Sequence, residues 1–338
     1  MASQGLSHDD YTVAWICALP LEMTAAKIML DETHNPLQQP LTDHNAYTLG
    51  RVGSHNVVIA CLPSGVYGST SSATVLAHML PTFPSLRFGL MVGIGGGAPS
   101  KHADIRLGDV VVSMPAPTSG GVIQYDYGKT LCDGRFQRTG SLNKPPQFLL
   151  TAVSQLRSNY IIREEPLRGI ISGTLQNHQE MRKQFFRPQK DRLFQSTYKH
   201  QNYDQNCSTC DQKQLMKREG RATNEPYIYY GLIASGNQVM KDARTRDFIA
   251  QELNILCFEM EAAGLMDQLP CLVIRGISDY SDSHKNEQWQ AYAALTASAY
   301  ARILLSMVPI PNGHAKKGPL QEPGLLRHYP FWTSPNLQ

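Results

Sequence analysis

The sequence predicts one α/β domain, with a mixed, mostly parallel central sheet flanked by helices. Three observations carry this. Short runs of branched apolar residues alternate with stretches of helical spacing, the order that lays helices over both faces of a sheet. The apolar runs are short and bounded by Pro and Gly, as buried strands are. A chain of 338 residues with 42% hydrophobic content is also long enough for one large core with insertions.

Residues 11–18 form the first strand, and 21–30 the helix after it. Residues 56–62 are a second apolar run with β-branched Val57, Val58 and Ile59. Residues 70–80 have helical spacing at Ala73, Leu76, Ala77 and Leu80. Residues 88–92 read as a third buried strand, ending in the glycine turn Gly93-Ile94-Gly95-Gly96-Gly97. Residues 107–113, 228–234 and 271–274 supply later strands, and 289–307 a long last helix. Between about 172 and 225 the pattern breaks into a polar, basic insertion carrying Arg182, Lys183, Arg187, Lys190 and further cations. The expected boundaries are a flexible N-terminus over 1–10, the domain over 11–308 and a flexible tail over 309–338.

Composition removes several function classes. A net charge of +3 is too small to argue for nucleic-acid binding. No apolar run reaches the roughly 18 residues of a membrane span. Residues 1–11 lack the apolar centre of a signal peptide. Of seven cysteines, Cys17, Cys61, Cys257 and Cys271 lie in apolar runs. They read as buried thiols of a reducing, cytoplasmic compartment and not as a disulfide framework.

Chemistry concentrates late in the chain. Phe258-Glu259-Met260-Glu261-Ala262-Ala263-Gly264 is followed, after the apolar run 270–276, by Ile277-Ser278-Asp279. Asp279 is expected just past a strand end, in the crevice where open α/β sheets hold ligands. Two carboxylates brought to one crevice can divide acid and base work. The plainer alternative is that Asp279 only caps a turn.

These residues resemble the nucleoside phosphorylase and nucleosidase superfamily, in its fungal branch. Four further segments, at 16–22, 63–73, 92–113 and 234–240, follow in the family's order. The resemblance implies a three-layer fold and cleavage of an N-glycosidic bond to a purine. It implies Asp279 as general acid at purine N7, with Ser278 orienting it. Glu261 would accept the ribose hydroxyls beside Glu259, and Met260 would pack under the sugar. Ser235-Gly236-Asn237-Gln238-Val239-Met240 resembles the base-binding segment. Val239 stands where many relatives carry an aromatic ring. Phe258 is either an aromatic face for the base or an ordinary core residue. Gly95, in the glycine turn, and Ser64 are candidate polar edges of the same pocket. Tyr125 and Tyr127, in Gln124-Tyr125-Asp126-Tyr127-Gly128, resemble the loop that closes the neighbouring subunit's pocket, which implies a homodimer or larger homo-oligomer.

One departure bears on the reaction. Phosphorylases of this superfamily bind phosphate through arginines after the first and third strands. Here the first turn is Ala18-Leu19-Pro20-Leu21-Glu22 and the third strand ends Met91-Val92-Gly93. A carboxylate repels phosphate but can deprotonate water. Glu22 matches the water-activating Glu of the nucleosidases, though a Glu in a first helical turn also serves the helix dipole. The expected activity is therefore hydrolysis of a purine ribonucleoside by water, without cofactor. The alternatives are an ATP-type nucleotide nucleosidase, a phosphorylase, or a non-catalytic ligand-sensing module. In the insertion, His200, Cys207 and Cys210 have zinc-like spacing, and no fourth ligand stands out.

Overall fold

The computed structural model describes residues 5–162, 166–200 and 207–310. Most of the expected tail, 311–338, and the first four residues of the expected flexible N-terminus lie outside the described residues, as does 201–206 of the insertion. His8–Asp10 form a short 3-10 turn, with the Ser7 amide donating to Asp10.

The chain is one α/β domain. In order it forms β1 (Val13–Cys17), α1 (Pro20–Lys27), β2 (Glu32–Thr33), β3 (Tyr47–Val52), β4 (His55–Cys61) and α2 (Ser69–Thr82). Then come β5 (Phe88–Gly97), β6 (Val110–Ser113), β7 (Val122–Gln124), β8 (Gly128–Thr130) and β9 (Phe136–Arg138). The remainder is α3 (Gln147–Ile162), α4 (Pro166–Asn177), β10 (Ile228–Ser235), α5 (Ala243–Leu253), β11 (Ile255–Glu259), β12 (Cys271–Asp279) and α6 (Gln290–Met307).

The central strands are apolar throughout because both of their faces are covered. In β1, Val13, Trp15 and Cys17 point into the core under α1, α3, α4 and α6. Ala14 and Ile16 point into the opposite core, under α2. The same split recurs in β5 and β12, where Phe88, Leu90, Leu272 and Ile274 face one core and Met91 and Val273 the other.

The sheet runs β11-β10-β6-β12-β5-β1-β4-β3-β2, with β7 alongside β10. β1 pairs in parallel with β4 and β5, and β12 in parallel with β5. β6 runs antiparallel to β12, so the sheet is mixed. β11 pairs in parallel with β10 and also antiparallel with the end of β5. That second pairing curls β11, β10, β6, β12 and β5 into a closed ring.

Two expectations change here. Gly93–Gly97 is not a turn but the continuation of β5, held between β12 and β11. Bare glycine backbone is needed because the side chains of Glu22 and Ser281 occupy the space a Cβ would take. At Gly93 a Cβ would lie 2.4 Å from Glu22 Oε1, and at Gly96 2.0 Å from Ser281 Oγ. Asp279 is likewise not past the strand end but is the last residue of β12, facing Gly96 after a register shift beyond Ile277.

The insertion begins inside α4 and continues as a 3-10 turn over Gln179–Lys183. Its later part folds back over the segment that follows β12. Arg218 pairs with Asp191 at 2.9 Å and donates to Tyr280 Oη at 3.0 Å. Tyr280 Oη in turn donates to Asp191.

Candidate active site

A cavity of about 200 Å³ opens where the C-terminal ends of β5, β11 and β12 meet the start of α1. Glu22, Gly95, Phe258, Glu259, Met260 and Glu261 line it, with Val239, Met240 and Ser278. Five segments distant in sequence thus converge on one space.

Glu22 sits third in α1, after Pro20, whose missing N–H suits the first helical turn. Its Oε2 accepts from the amides of Ala18 at 2.7 Å and Leu19 at 2.9 Å. Its Oε1 accepts from the Ile94 amide at 2.7 Å. The helix-capping role and a role at the cavity are therefore both present, since Ile94 belongs to β5. Burial pushes the Glu22 carboxyl above its ordinary value, while Arg275 and the three amides pull against that shift.

Arg275 was read in the sequence only as part of an apolar strand. It is fully buried and is the hub of the floor. Its guanidinium pairs with Glu259 and, at 3.3 Å, with Glu261, and donates to the Ile94 carbonyl. Burial opposes its charge, and Glu259, Glu261 and Glu22 overcome that and raise its pKa. Glu259 also accepts from the amides of Glu261 and Ala262, which fixes the turn after β11. Three carboxylates face one guanidinium, so they cannot all be ionised cheaply. Glu261 shows the result. Burial pushes it up to about 7, with Glu259 and Glu22 adding to the rise and Arg275 opposing it.

Asp279 lies one hydrogen bond behind the cavity wall. Its Oδ2 accepts from Ser278 Oγ at 2.9 Å and from Lys285 Nζ at 2.8 Å, and its Oδ1 from the Ser281 amide. Ser278, Ser281 and Lys285 all line the cavity. Lys285 escaped the sequence analysis because it lies outside every segment of the resemblance. Arg275 had a signal: a lone arginine in a buried apolar strand requires anionic partners.

Other expected residues divide. Ser235 is buried, but its hydroxyl accepts from the Ala263 amide and so supports the turn after Glu261. The Gly236 amide donates to the Glu259 carbonyl and the Asn237 amide to Asp126, so neither is left for a base edge. Val239 is half exposed at the rim. Ser64 is exposed and does not line the cavity; Tyr67 from the same loop does. Phe258 both lines the cavity and packs in the core, with the Tyr125 ring edge-on at 5.6 Å. Tyr125 is corrected from a cap for a neighbouring subunit. It is buried in its own chain, and its hydroxyl donates to the Gln238 carbonyl. Tyr127 is exposed.

The insertion's cations do not reach this space. Arg182, Lys183, Arg187 and Lys190 are absent from the cavity lining. Arg187 instead faces a separate cavity of about 340 Å³, with Arg218 and Arg221. Arg221 there is held by Asp109 at 2.7 Å. The candidate metal ligands His200, Cys207 and Cys210 lie together in the insertion, apart from both cavities.

No family model matches the chain. Over 304 residues it is 47% identical to a nucleotide-binding leucine-rich repeat (NLR)-like protein of Hyaloscypha variabilis, a match that spans 90% of this chain but only 30% of that protein. It is 24% identical over 309 residues to the 5′-methylthioadenosine/S-adenosylhomocysteine nucleosidase of Mycobacterium bovis, covering 88% of this chain and 97% of that enzyme. Its fold matches the futalosine hydrolase of Helicobacter pylori with a TM-score of 0.55 at 16% identity, over 89% of this chain and 99% of that one. Among the described residues no helix is long and apolar enough to cross a membrane.

Proposed function

We propose that the chain belongs to the nucleoside phosphorylase/nucleosidase superfamily and hydrolyses the N-glycosidic bond of a purine ribonucleoside to base and ribose. The observation that carries the choice of water over phosphate is the pairing of the cations at the cavity. Arg275 is taken by Glu259 and Glu261, and Lys285 by Asp279. Neither is left for an attacking phosphate, and Glu22 stands where it would repel one.

In this scheme Glu22 is the base for water. Burial raises its proton affinity toward the range where a carboxylate takes a proton well, and three amides fix its direction. Glu261 accepts the ribose hydroxyls, and Met260 packs under the sugar. Asp279, once it has taken up a proton, passes it to purine N7 through the Ser278 hydroxyl that stands between it and the cavity, which turns the base into a better leaving group. The anion it leaves is stabilised by the Lys285 ammonium and the Ser278 hydroxyl. Nucleosides are favoured over nucleotides because the insertion's basic residues face elsewhere. Cytoplasmic placement fits the free cysteines. A homodimer or larger assembly remains our expectation, with exposed Tyr127 at the contact; light scattering that shows a fully active monomer removes it.

The test is to incubate the protein with inosine, adenosine, guanosine, methylthioadenosine and ATP, with and without phosphate, and to identify the sugar. Free ribose in phosphate-free buffer is expected. Ribose 1-phosphate formed only with phosphate overturns the proposal.

A further inference from the structure

We propose that His200, Cys207, Cys210 and His284 form a structural zinc site that staples the insertion to the segment following Asp279. The donor atoms of His200, Cys207 and Cys210 all lie within 4.8 Å of one another. Donors that share one ion at roughly 2.0–2.3 Å must converge in this way. Cys207 and Cys210 are buried and not joined in a disulfide. Two thiolates with imidazole suit Zn²⁺ and are poor ligands for Mg²⁺ or Ca²⁺.

The fourth donor, which the spacing of cysteines does not reveal, comes from outside the insertion. His284 is buried, and both of its ring nitrogens lack a hydrogen-bond partner. The nearest carboxylate, Asp282, stays 3.7 Å from Nδ1. An imidazole left so is costly unless something binds it. Its ring centre is 5.3 Å from that of His200, and it stacks on Phe194 at 4.1 Å. Phe194 in turn packs with Cys207 and Cys210 in one small apolar cluster. A movement of the His284 ring toward the three other donors completes a tetrahedral set. Binding breaks two S–H bonds and releases both protons to solvent, leaving Zn²⁺ neutralised by two thiolates.

The site has a clear mechanical partner. The His200 amide donates to Ser283 Oγ at 3.0 Å, and Cys207 Sγ lies 3.8 Å from the His284 carbonyl. This same segment supplies Ser281 and Lys285 to the cavity. Zinc would therefore hold from behind the residues that touch Asp279.

The test reads metal without substrate, so it stands or falls apart from the proposed hydrolysis. The full chain, produced with zinc under reducing conditions, is expected to carry about one Zn²⁺ per molecule by atomic emission. Cobalt substitution should give thiolate-to-cobalt absorption. His284→Asn should weaken zinc retention against a chelator at least about tenfold, and Cys207→Ser with Cys210→Ser should abolish it. Should those variants fail to fold, chelator titration of the unaltered protein decides: release of one Zn²⁺ with a fall in melting temperature is expected. Zinc-free protein that takes up none, or a Cys207–Cys210 disulfide in its place, overturns the site. Unchanged affinity in His284→Asn overturns the four-ligand assignment.

Discussion

The floor of the cavity and the insertion that packs on the segment after β12 are built on opposite plans. The floor is a set of charges on strand ends, held by backbone amides: Glu22 by Ala18, Leu19 and Ile94, and Glu259 by Glu261 and Ala262. Among the described residues the insertion has no strand of its own beyond a bridge between Phe194 and Leu215. It is held by side chains reaching far along the sequence, such as Arg218 to Asp191 and Tyr280. A site held by backbone is fixed by the fold, whereas a segment held by side chains can be altered without disturbing the sheet.

The contrast is broken most easily at the acid. Asp279→Asn cannot deliver a proton, and general acid catalysis is worth roughly 100- to 10,000-fold. Turnover in a steady-state assay should fall by that factor with an unchanged circular dichroism spectrum. Near-native turnover removes Asp279 from the chemistry. Glu22→Gln should also lower turnover, and Glu261→Gln should in addition weaken ribose binding.

Next comes the hub. Arg275→Met leaves Glu259 and Glu261 buried without their cation. Breaking a buried ion pair from one side costs about 3–5 kcal/mol. Urea unfolding should register that loss, while substitution of an insertion cation such as Lys183 should stay within about 0.5 kcal/mol. Equal effects at the two places would erase the distinction drawn above.

A smaller effect sharpens the same point through pH. Glu261 is held at about 7, against an ordinary 4.5. An acid whose folded value is raised contributes stability that is full below the unfolded value and is lost as pH climbs through the folded one. Glu22 is raised too and acts in the same direction. The melting temperature should therefore decline from about pH 4.5 to above 7, and Glu261→Gln should flatten the decline.

The smallest effect is expected at the insertion. Changing Arg182, Lys183, Arg187 and Lys190 together to Ala should shift the Michaelis constants for adenosine and ATP alike. A selective loss for ATP, relieved by salt in the unaltered protein, would move the substrate class from nucleoside to nucleotide.

How much of this was legible in the sequence follows from the same division. The strands at 11–18, 56–62 and 271–274 were readable because burial on both faces leaves an apolar signature that is purely local. Glu22 and Glu261, expected from the resemblance, do come together at the cavity, whereas Asp279 lies one hydrogen bond behind its wall, a depth that the sequence does not encode locally. The extension of β5 through its glycines was not readable, since glycine runs ordinarily signal turns; only β12 and β11 on either side make it a strand. β11 and β3 were missed for a similar reason, being short or interrupted by polar residues such as Arg51. Lys285 and His284 were invisible because their partners, Asp279 and His200, are chosen by tertiary packing.

One strand has a consequence of another kind. Ile94 of β5 gives its amide to Glu22, and Gly96 of the same strand stands opposite Asp279. Two residues along a strand span about 7 Å. Glu22 and Asp279 thus meet β5 at points two residues apart on a single extended backbone. Substitutions at the rim, at Tyr67 or Val239, can reshape the mouth of the cavity while that spacing stays as it is.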